Sequence, residues 1–340
     1  MDRDPQWLGL DIGGANCKFA SEMGVAWNVP FPLWKHPEDL STLLAGEIQN
    51  YANEHRLHGL AVTMTGELAD CFATKTEGVT KIIEAIPRHS DWEVKIFQTD
   101  GRFVSRDEAL NQPLLSAASN WLALGNLVAQ RMNGTHGLLV DIGSTTTDII
   151  PLHGGHVACQ GRTDPERLQH RELIYVGTER TPLCSLTDQG WYQGQACGIA
   201  RELFATTLDA YLWRRNIQER PDDLSTADSR PATRDRAFDR LARMVGADRD
   251  LYTAEDADRL ANEILDRHCS LIAEAIQHLG HEQISQFEEI IWSGQADFLA
   301  GAIAEKVGLQ QPFRYLSNLI GAEAARCAPA YSVACLAAET

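Results

Sequence analysis

The chain carries one pattern twice. Leu138–Leu152 reads LLVDIGSTTTDIIPL: a buried strand, a turn of small hydroxyl residues and a second strand, with one aspartate on each side of the turn. Trp7–Ala20, WLGLDIGGANCKFA, is a shorter version with Asp-Ile-Gly at the same place in the same strand–turn–strand frame. Few folds admit such a repeat. Each copy opens a half of the chain that continues as strands alternating with helices. This predicts a duplicated α/β architecture whose two Asp-bearing hairpins face each other across a central cleft. The lobes are expected over 1–134 and 135–340.

In the first half, Trp7–Ile12 and Cys17–Ala20 flank the turn Gly13–Gly14–Ala15, where glycine admits positive φ and lets a ligand approach the backbone. Val25–Val29 predicts a third strand, and Leu40, Leu43, Leu44, Ile48 and Tyr51 give Pro37–His55 helical spacing. Gly59–Met64 is a buried strand running into TGELADCF, which puts Glu67 and Asp70 just past a strand's C-terminal end, where sites on α/β sheets fall. A helix over Gly78–Ile86, a strand over Trp92–Gln98 and a long helix over about 114–132 complete this half. In the second half, His156–Cys159 and Arg171–Val176 predict strands, and Gln195–Arg215 a helix. Gln218–Asp235, rich in Asp, Ser, Thr, Arg and Pro, predicts an exposed connection. Helices are predicted over Arg236–Met244, Ala254–Leu279 and Gln295–Val307, and short strands over Glu289–Trp292 and Phe313–Leu316. A helical insertion is expected at about 214–260, and a C-terminal helix over 320–340, broken at Pro329, is expected to pack back on the first lobe.

Both turns offer backbone N–H groups: Gly13, Gly14, Ala15 and Asn16 in one, Gly143, Ser144, Thr145 and Thr146 in the other. The hydroxyls of Ser144, Thr145, Thr146 and Thr147 join the second set. Such turns can wrap a phosphate, Asp11 and Asp141 suit a hydrated Mg²⁺ bridging phosphate oxygens, and Lys18 adds a positive charge. One Asp-Gly turn alone is more often a capped hairpin; two in matching contexts favour phosphate. Glu67 and Asp70 suit a base or a metal ligand. Asp148 breaks an apolar run and faces away from Thr147. Arg180 in GTERTP, with Arg162 and Lys75, is a candidate for neutralising an anion. His153 and His156 read as a simple turn, because no two further ligands follow at a metal spacing. Trp191, Tyr192 and Trp292 read as packing residues. Neither GxxxxGK[ST] nor GxGxxG is present.

The formal net charge of −17 opposes binding to nucleic acid or an anionic membrane, so bound phosphate needs backbone amides, a few local cations or a divalent ion. No stretch approaches the roughly 18 apolar residues of a membrane span, and the opening MDRDPQW is charged, so a cytoplasmic protein is expected. The eight cysteines are scattered without a CxxC pair, as reduced thiols are.

DIGGANCKFA, AVTMTGELADCF, DIGSTTTDIIPL, RELIYVGTERTP, FATTLDAYL and RLARM extend from residue 8 to about 244. Together they resemble the hydantoinase A/oxoprolinase branch of the acetate kinase–sugar kinase–Hsc70–actin superfamily. Within it they resemble a compact subfamily of methanofuran-biosynthesis synthases tied to tetrahydromethanopterin-linked one-carbon metabolism. The resemblance implies duplicated ribonuclease H-like (actin/Hsc70-type) domains. It also implies a transferase that joins an aminomethylfuran-methyl diphosphate to the phenol oxygen of a γ-glutamyl-tyramine or tyrosine acceptor, releasing pyrophosphate. On that expectation Asp11 and Asp141 hold Mg²⁺, the turns with Lys18 and Arg180 hold the diphosphate, and Glu67 or Asp70, with Asp148 third, takes the phenol proton. The partners are then small molecules, with no nucleic acid and no membrane, and a homo-oligomer is left open. ATP is disfavoured. ATP-using relatives carry Gly-Gly after a late strand, where this chain reads WSGQADFLA, Trp292–Ala300, with Gln295 where a purine would approach. Two other functions compete: an ATP-dependent kinase or hydrolase of hydantoinase/oxoprolinase type, and a non-enzymatic, actin-like ligand sensor.

Overall fold

Two mixed sheets organise the chain, which a computed structural model describes over residues 5–89 and 91–340. The first sheet begins as a meander of β1 (Gln6–Ile12), β2 (Asn16–Ser21) and β3 (Ala26–Pro30), each antiparallel to the next. Helix α1 (Leu40–Glu54) leads to β4 (Leu57–Met64), and α2 (Lys75–Ala85) leads to β5 (Glu93–Phe97); β4 joins parallel to β1, and β5 parallel to β4. With β6 (Phe103–Val104) at the edge, the order is β3-β2-β1-β4-β5-β6. Helices α3 (Arg106–Asn111) and α4 (Asn120–Arg131) then cross to the second sheet.

The second sheet repeats the opening plan with its third strand altered. β7 (Gly137–Ile142) and β8 (Thr147–His153) form the hairpin, but the third strand is split. β9 (His156–Val157) pairs with one end of β8; the chain leaves through α5 (Asp164–Gln169) and returns as β10 (Leu173–Ile174) on the other end. A small hairpin of β11 (Gln189–Tyr192) and β12 (Gln195–Gly198) follows, then α6 (Thr207–Trp213), α7 (Arg234–Arg243), α8 (Ala254–His278) and α9 (His281–Gln286). β13 (Glu289–Gly294), α10 (Ala300–Val307) and β14 (Phe313–Tyr315) complete the sheet in the order β10-β8-β7-β13-β14. The chain ends in α11 (Leu316–Ile320), α12 (Ala322–Arg326) and α13 (Ala328–Ala338).

β1 is buried along nearly its whole length because both of its faces are covered. Leu8, Leu10 and Ile12 face a core built with Leu44, Ile48, Val79 and Ile82 of α1 and α2. The other face meets α13, whose sequence APAYSVACLAA is rich in small residues and almost wholly buried. There Trp7, Ala61 and Phe97 share a core with Val333 and Leu336, and with Leu139, Ile150 and Ile291 of the second sheet. The two sheets are therefore welded through one apolar cluster. Among the described residues, no helix is long and apolar enough to cross a membrane.

Two expected helices are not continuous. Over 195–215 only Thr207–Trp213 is helical. Gln193 and Gly194 take positive φ, at 50° and 76°, and turn the preceding residues into the β11–β12 hairpin, while Leu203 is exposed rather than on a buried face. The expected helix over 114–132 breaks at Ala118, whose φ of 48° separates a short 3₁₀ turn at Pro113–Ser116 from α4. In both places local backbone geometry overrides apolar spacing.

Gly9 marks the closest approach in the fold: a Cβ there would lie 1.8 Å from the Ala330 carbonyl oxygen. Gly9→Ala must lift α13 from the sheet, at a cost of about 1–3 kcal/mol. Gly46 of α1 is exposed with open space around it, so Gly46→Ala should instead gain about 0.5–1 kcal/mol of helix stability. Urea denaturation of the two variants should move the midpoint in opposite directions.

Candidate functional site

The two hairpin turns have the same construction. Residues 12–20 and 142–150 show the same order of buried and half-buried positions. The Gly13 amide donates to the Asn16 carbonyl at 3.0 Å, and the Gly143 amide to the Thr146 carbonyl at 2.8 Å. Neighbouring chain braces the carbonyl side of each turn. Leu33 N donates to Gly14 O and Phe31 N to Ala15 O, both at 2.9 Å, while the amides of Glu179 and Arg180 donate to Ser144 O at 3.0 Å. Among the described residues, the amides of Gly14, Ala15, Ser144, Thr145 and Thr146 donate to no protein acceptor. Each turn thus presents a set of free N–H donors, as an anion requires. Gly177 backs the second turn so closely that a Cβ would lie 2.5 Å from both the Ser144 carbonyl carbon and the Thr145 nitrogen.

Behind the turns the charges differ. Asp11 pairs in register with Lys18, whereas the equivalent pair in the second hairpin is Asp141 with Asp148. Residues directly opposite in an antiparallel pair share a face, so one hairpin offers a carboxylate beside an ammonium and the other two carboxylates. Asp11 is 4 % exposed, and its Oδ1 has no partner. Burial pushes its carboxyl upward, partly offset by Lys18. Burial, with the charges of Asp148 and Asp11, pushes Asp141 up to about 6; the Ser293 hydroxyl and Lys18 pull the other way. Asp141 therefore feels Asp11 and Lys18 from the opposite sheet, which puts both hairpin ends on one cleft.

The second carboxylate of the Asp pair has its own counter-ion. Arg167 of α5, 1 % exposed, holds Asp148 at 2.6 Å and also donates to the Glu172 carbonyl at 2.8 Å. Its guanidinium lies 3.8 Å from the Trp121 ring centroid. Burial still outweighs Arg167 and raises the Asp148 carboxyl. Removing the arginine would leave a buried charge uncompensated, at a cost of about 3–5 kcal/mol.

Glu67 stands on the cleft wall just after β4. It is 1 % exposed, with Oε2 unpartnered, and Gly78 packs on its backbone: a Cβ there would lie 2.2 Å from Glu67 O. Burial pushes its carboxyl up to about 7, against the pull of nearby backbone amides and of Lys75. Lys75 Nζ lies 3.8 Å from Glu67 Oε1 and donates to Asp164 of α5 at 2.9 Å. Tyr175, about half exposed, has its phenol pushed upward by burial and by the charges of Asp164, Glu67 and Asp148, so these groups share one space.

Of the residues singled out in the sequence, Asp11, Lys18, Asp141, Asp148, Glu67 and both turns come together. Asp70 is not among the buried acids of this cluster: it sits on an exposed turn. Arg180 is exposed beside the second turn and stacks 5.0 Å from the Trp34 ring of the first lobe, so its side chain spans the cleft mouth. Arg162 lies elsewhere, lining a cavity of about 210 Å³ with Asp100, Asn126 and His156. Arg167, Asp164, Tyr175 and Trp34 were not foreseen. The capping box of Thr163 and Glu166 marks the start of α5, yet nothing local marks Arg167 as buried. At the late strand, Gly294 has φ of 96° and would clash with Ile142 O at 2.1 Å if it bore a Cβ, and Gln295 beside it is exposed.

The surplus of buried carboxylates and the orphaned Asp11 oxygen suit a divalent cation. Among the described residues, no group of three or more acids that includes Asp11, Asp141 or Asp148 gathers its ligand atoms within 4.8 Å.

Residues 58–338 match the family described as Hydantoinase/oxoprolinase. A (4-{4-[2-(gamma-L-glutamylamino)ethyl]phenoxymethyl}furan-2-yl)methanamine synthase from Methanocaldococcus jannaschii is 35% identical over 272 residues, covering 79% of this chain and 80% of that protein. The synthase of the same name from Methanococcus vannielii is 29% identical over 201 residues, 58% of this chain and 89% of that one. Among solved structures, the ParM filament protein from Clostridium botulinum aligns over 99% of this chain and 100% of its own, at 10% identity and a TM-score of 0.49. On the extent of the family match and the identity to the first synthase, this chain belongs to the hydantoinase/oxoprolinase family.

Proposed function

We propose that this protein is a synthase of methanofuran-type cofactor biosynthesis, joining an aminomethylfuran-methyl diphosphate to the phenol oxygen of a γ-glutamyl-tyramine acceptor. The reading is supported by the two related synthases and by one observation in particular. A buried carboxylate with an unpartnered oxygen, Glu67, shares a cleft with two turns of free amides.

In this mechanism the diphosphate lies between the turns, and the amides of Gly14, Ala15, Ser144, Thr145 and Thr146 meet its oxygens. Lys18 adds charge from the first hairpin. Asp11 and Asp141 would hold Mg²⁺, which supplies positive charge to the departing pyrophosphate. The phenol approaches from the wall. Glu67 takes the phenol proton, the oxygen bonds to the furan-bearing methylene carbon, and the bond from that carbon to the diphosphate oxygen breaks with its electron pair leaving on pyrophosphate. A carboxyl near 7 is matched to this work, being partly ionised at neutral pH and more basic than an ordinary glutamate. Asp148, held by Arg167, is the weaker candidate for the base, and exposed Asp70 the weakest. Arg180 on Trp34 closes the mouth over the turns.

Protein supplied with Mg²⁺, the furan diphosphate and the glutamylated phenol should yield coupled product and pyrophosphate by mass spectrometry. Turnover of ATP without coupling would overturn the reading in favour of the kinase or hydrolase alternative. Wild-type turnover should rise with pH through about 7 as Glu67 loses its proton, and fall on the acid side where the base is protonated. Glu67→Gln should lower the rate about 10²–10⁴-fold and abolish that limb. Gly177→Ala should displace the second turn and weaken pyrophosphate binding by titration calorimetry, without losing the folded far-UV dichroism spectrum.

A further inference from the structure

The lysine beside Glu67 is shared between the lobes. Lys75 opens α2 in the first lobe, and Asp164 opens α5 in the second. Nζ reaches Asp164 Oδ2 at 2.9 Å, a hydrogen-bonded ion pair, but stays 3.8 Å from Glu67 Oε1, beyond hydrogen-bond contact. All three groups are sheltered, with side-chain exposures of 25 % for Lys75, 14 % for Asp164 and 1 % for Glu67. The Glu67 backbone cannot move to close the gap, because Gly78 is packed against it. The other charged or titratable groups facing this space are Tyr175 after β10 and Asp148 on β8, the latter already paired with Arg167.

We infer that Asp164 is a positioning residue for the reaction: from the opposite lobe it draws Lys75 away from Glu67 and so sets how readily Glu67 accepts the acceptor's proton. The inference rests on Glu67 serving as the base of the proposed reaction. With the lobes together, Lys75 is committed to Asp164, and Glu67 keeps a weakly neutralised, proton-seeking carboxylate.

The two ends of the relay act with opposite sign, and this makes the test. Asp164→Asn removes a negative charge near Glu67 and releases Lys75 toward it, so the Glu67 midpoint should fall. Lys75→Met removes a cation that acts on Glu67, so the midpoint should rise. Full-length protein labelled at the glutamate side-chain carboxyl with ¹³C, titrated by NMR, reports the midpoint directly, with the resonance assigned by its absence in Glu67→Gln. The expected shifts are about half a pH unit or more in opposite directions. Lys75→Arg should keep the wild-type value, and the acid limb of turnover should follow each midpoint. Midpoints that move the same way, or neither moving, overturn the inference, because a merely structural latch would respond alike to loss of either end. The NMR arm needs no substrate. Failure of the coupling reaction with opposite midpoint shifts would sink the proposed function and leave the relay standing; coupling with parallel shifts would do the reverse.

Discussion

The cleft is governed by the cost of taking carboxylates out of water. Asp11, Asp141, Asp148 and Glu67 are gathered at strand ends where burial alone disfavours their charge, and Asp164 stands beside them. Lys18, Arg167 and Lys75 answer only part of that charge. Arg167 is spent on Asp148 and Lys75 chiefly on Asp164, which leaves Lys18 to offset Asp11 and Asp141. A site in that state is completed by a cation, a proton or both. On the same ground, a phosphate bound by so acidic a chain would rest on the free amides of the turns, with a cation offsetting the acids behind them.

The duplication supplies the frame, and one departure from it rearranges the charge. In the first sheet the third strand is continuous. In the second it is cut in two, and α5 fills the gap, which delivers Arg167 to Asp148 and Asp164 to Lys75. The departure goes with the exchange of Lys18 in one hairpin for Asp148 in the other, since the second hairpin lacks a cation of its own and must import one from outside the repeat. An insertion into a symmetric scaffold thus breaks the symmetry of its charge.

Much of this was legible in residue order. Asp-Ile-Gly before a turn of small residues, seen twice, carries enough local information to define both hairpins, because the turn needs small residues and the strands need apolar ones. The position of Glu67 past a buried strand end was equally readable. What could not be read was which of Glu67 and Asp70 turns inward. That depends on Gly78 packing against the chain and on α2 capped by Thr74, contacts made at a distance from the motif. Arg167 was hidden for a related reason: in a short amphipathic stretch an arginine reads as surface, and only the fold reveals the carboxylate and tryptophan that bury it. The helix expected over 195–215 failed because Gln193 and Gly194 set a turn that apolar spacing does not register.

The packing of α13 on β1 has a bearing on how the protein is made. Trp7, Ala61 and Phe97 are synthesised early, yet the helix that covers them spans Ala328–Ala338. At about 5–20 residues per second, ribosomes take on the order of ten seconds or more to bridge that interval. Throughout it, the β1–β4–β5 face lacks the cover that α13 gives it. The early lobe cannot reach its final packing as an independent unit during translation, and its folding is bound to the arrival of the last helix.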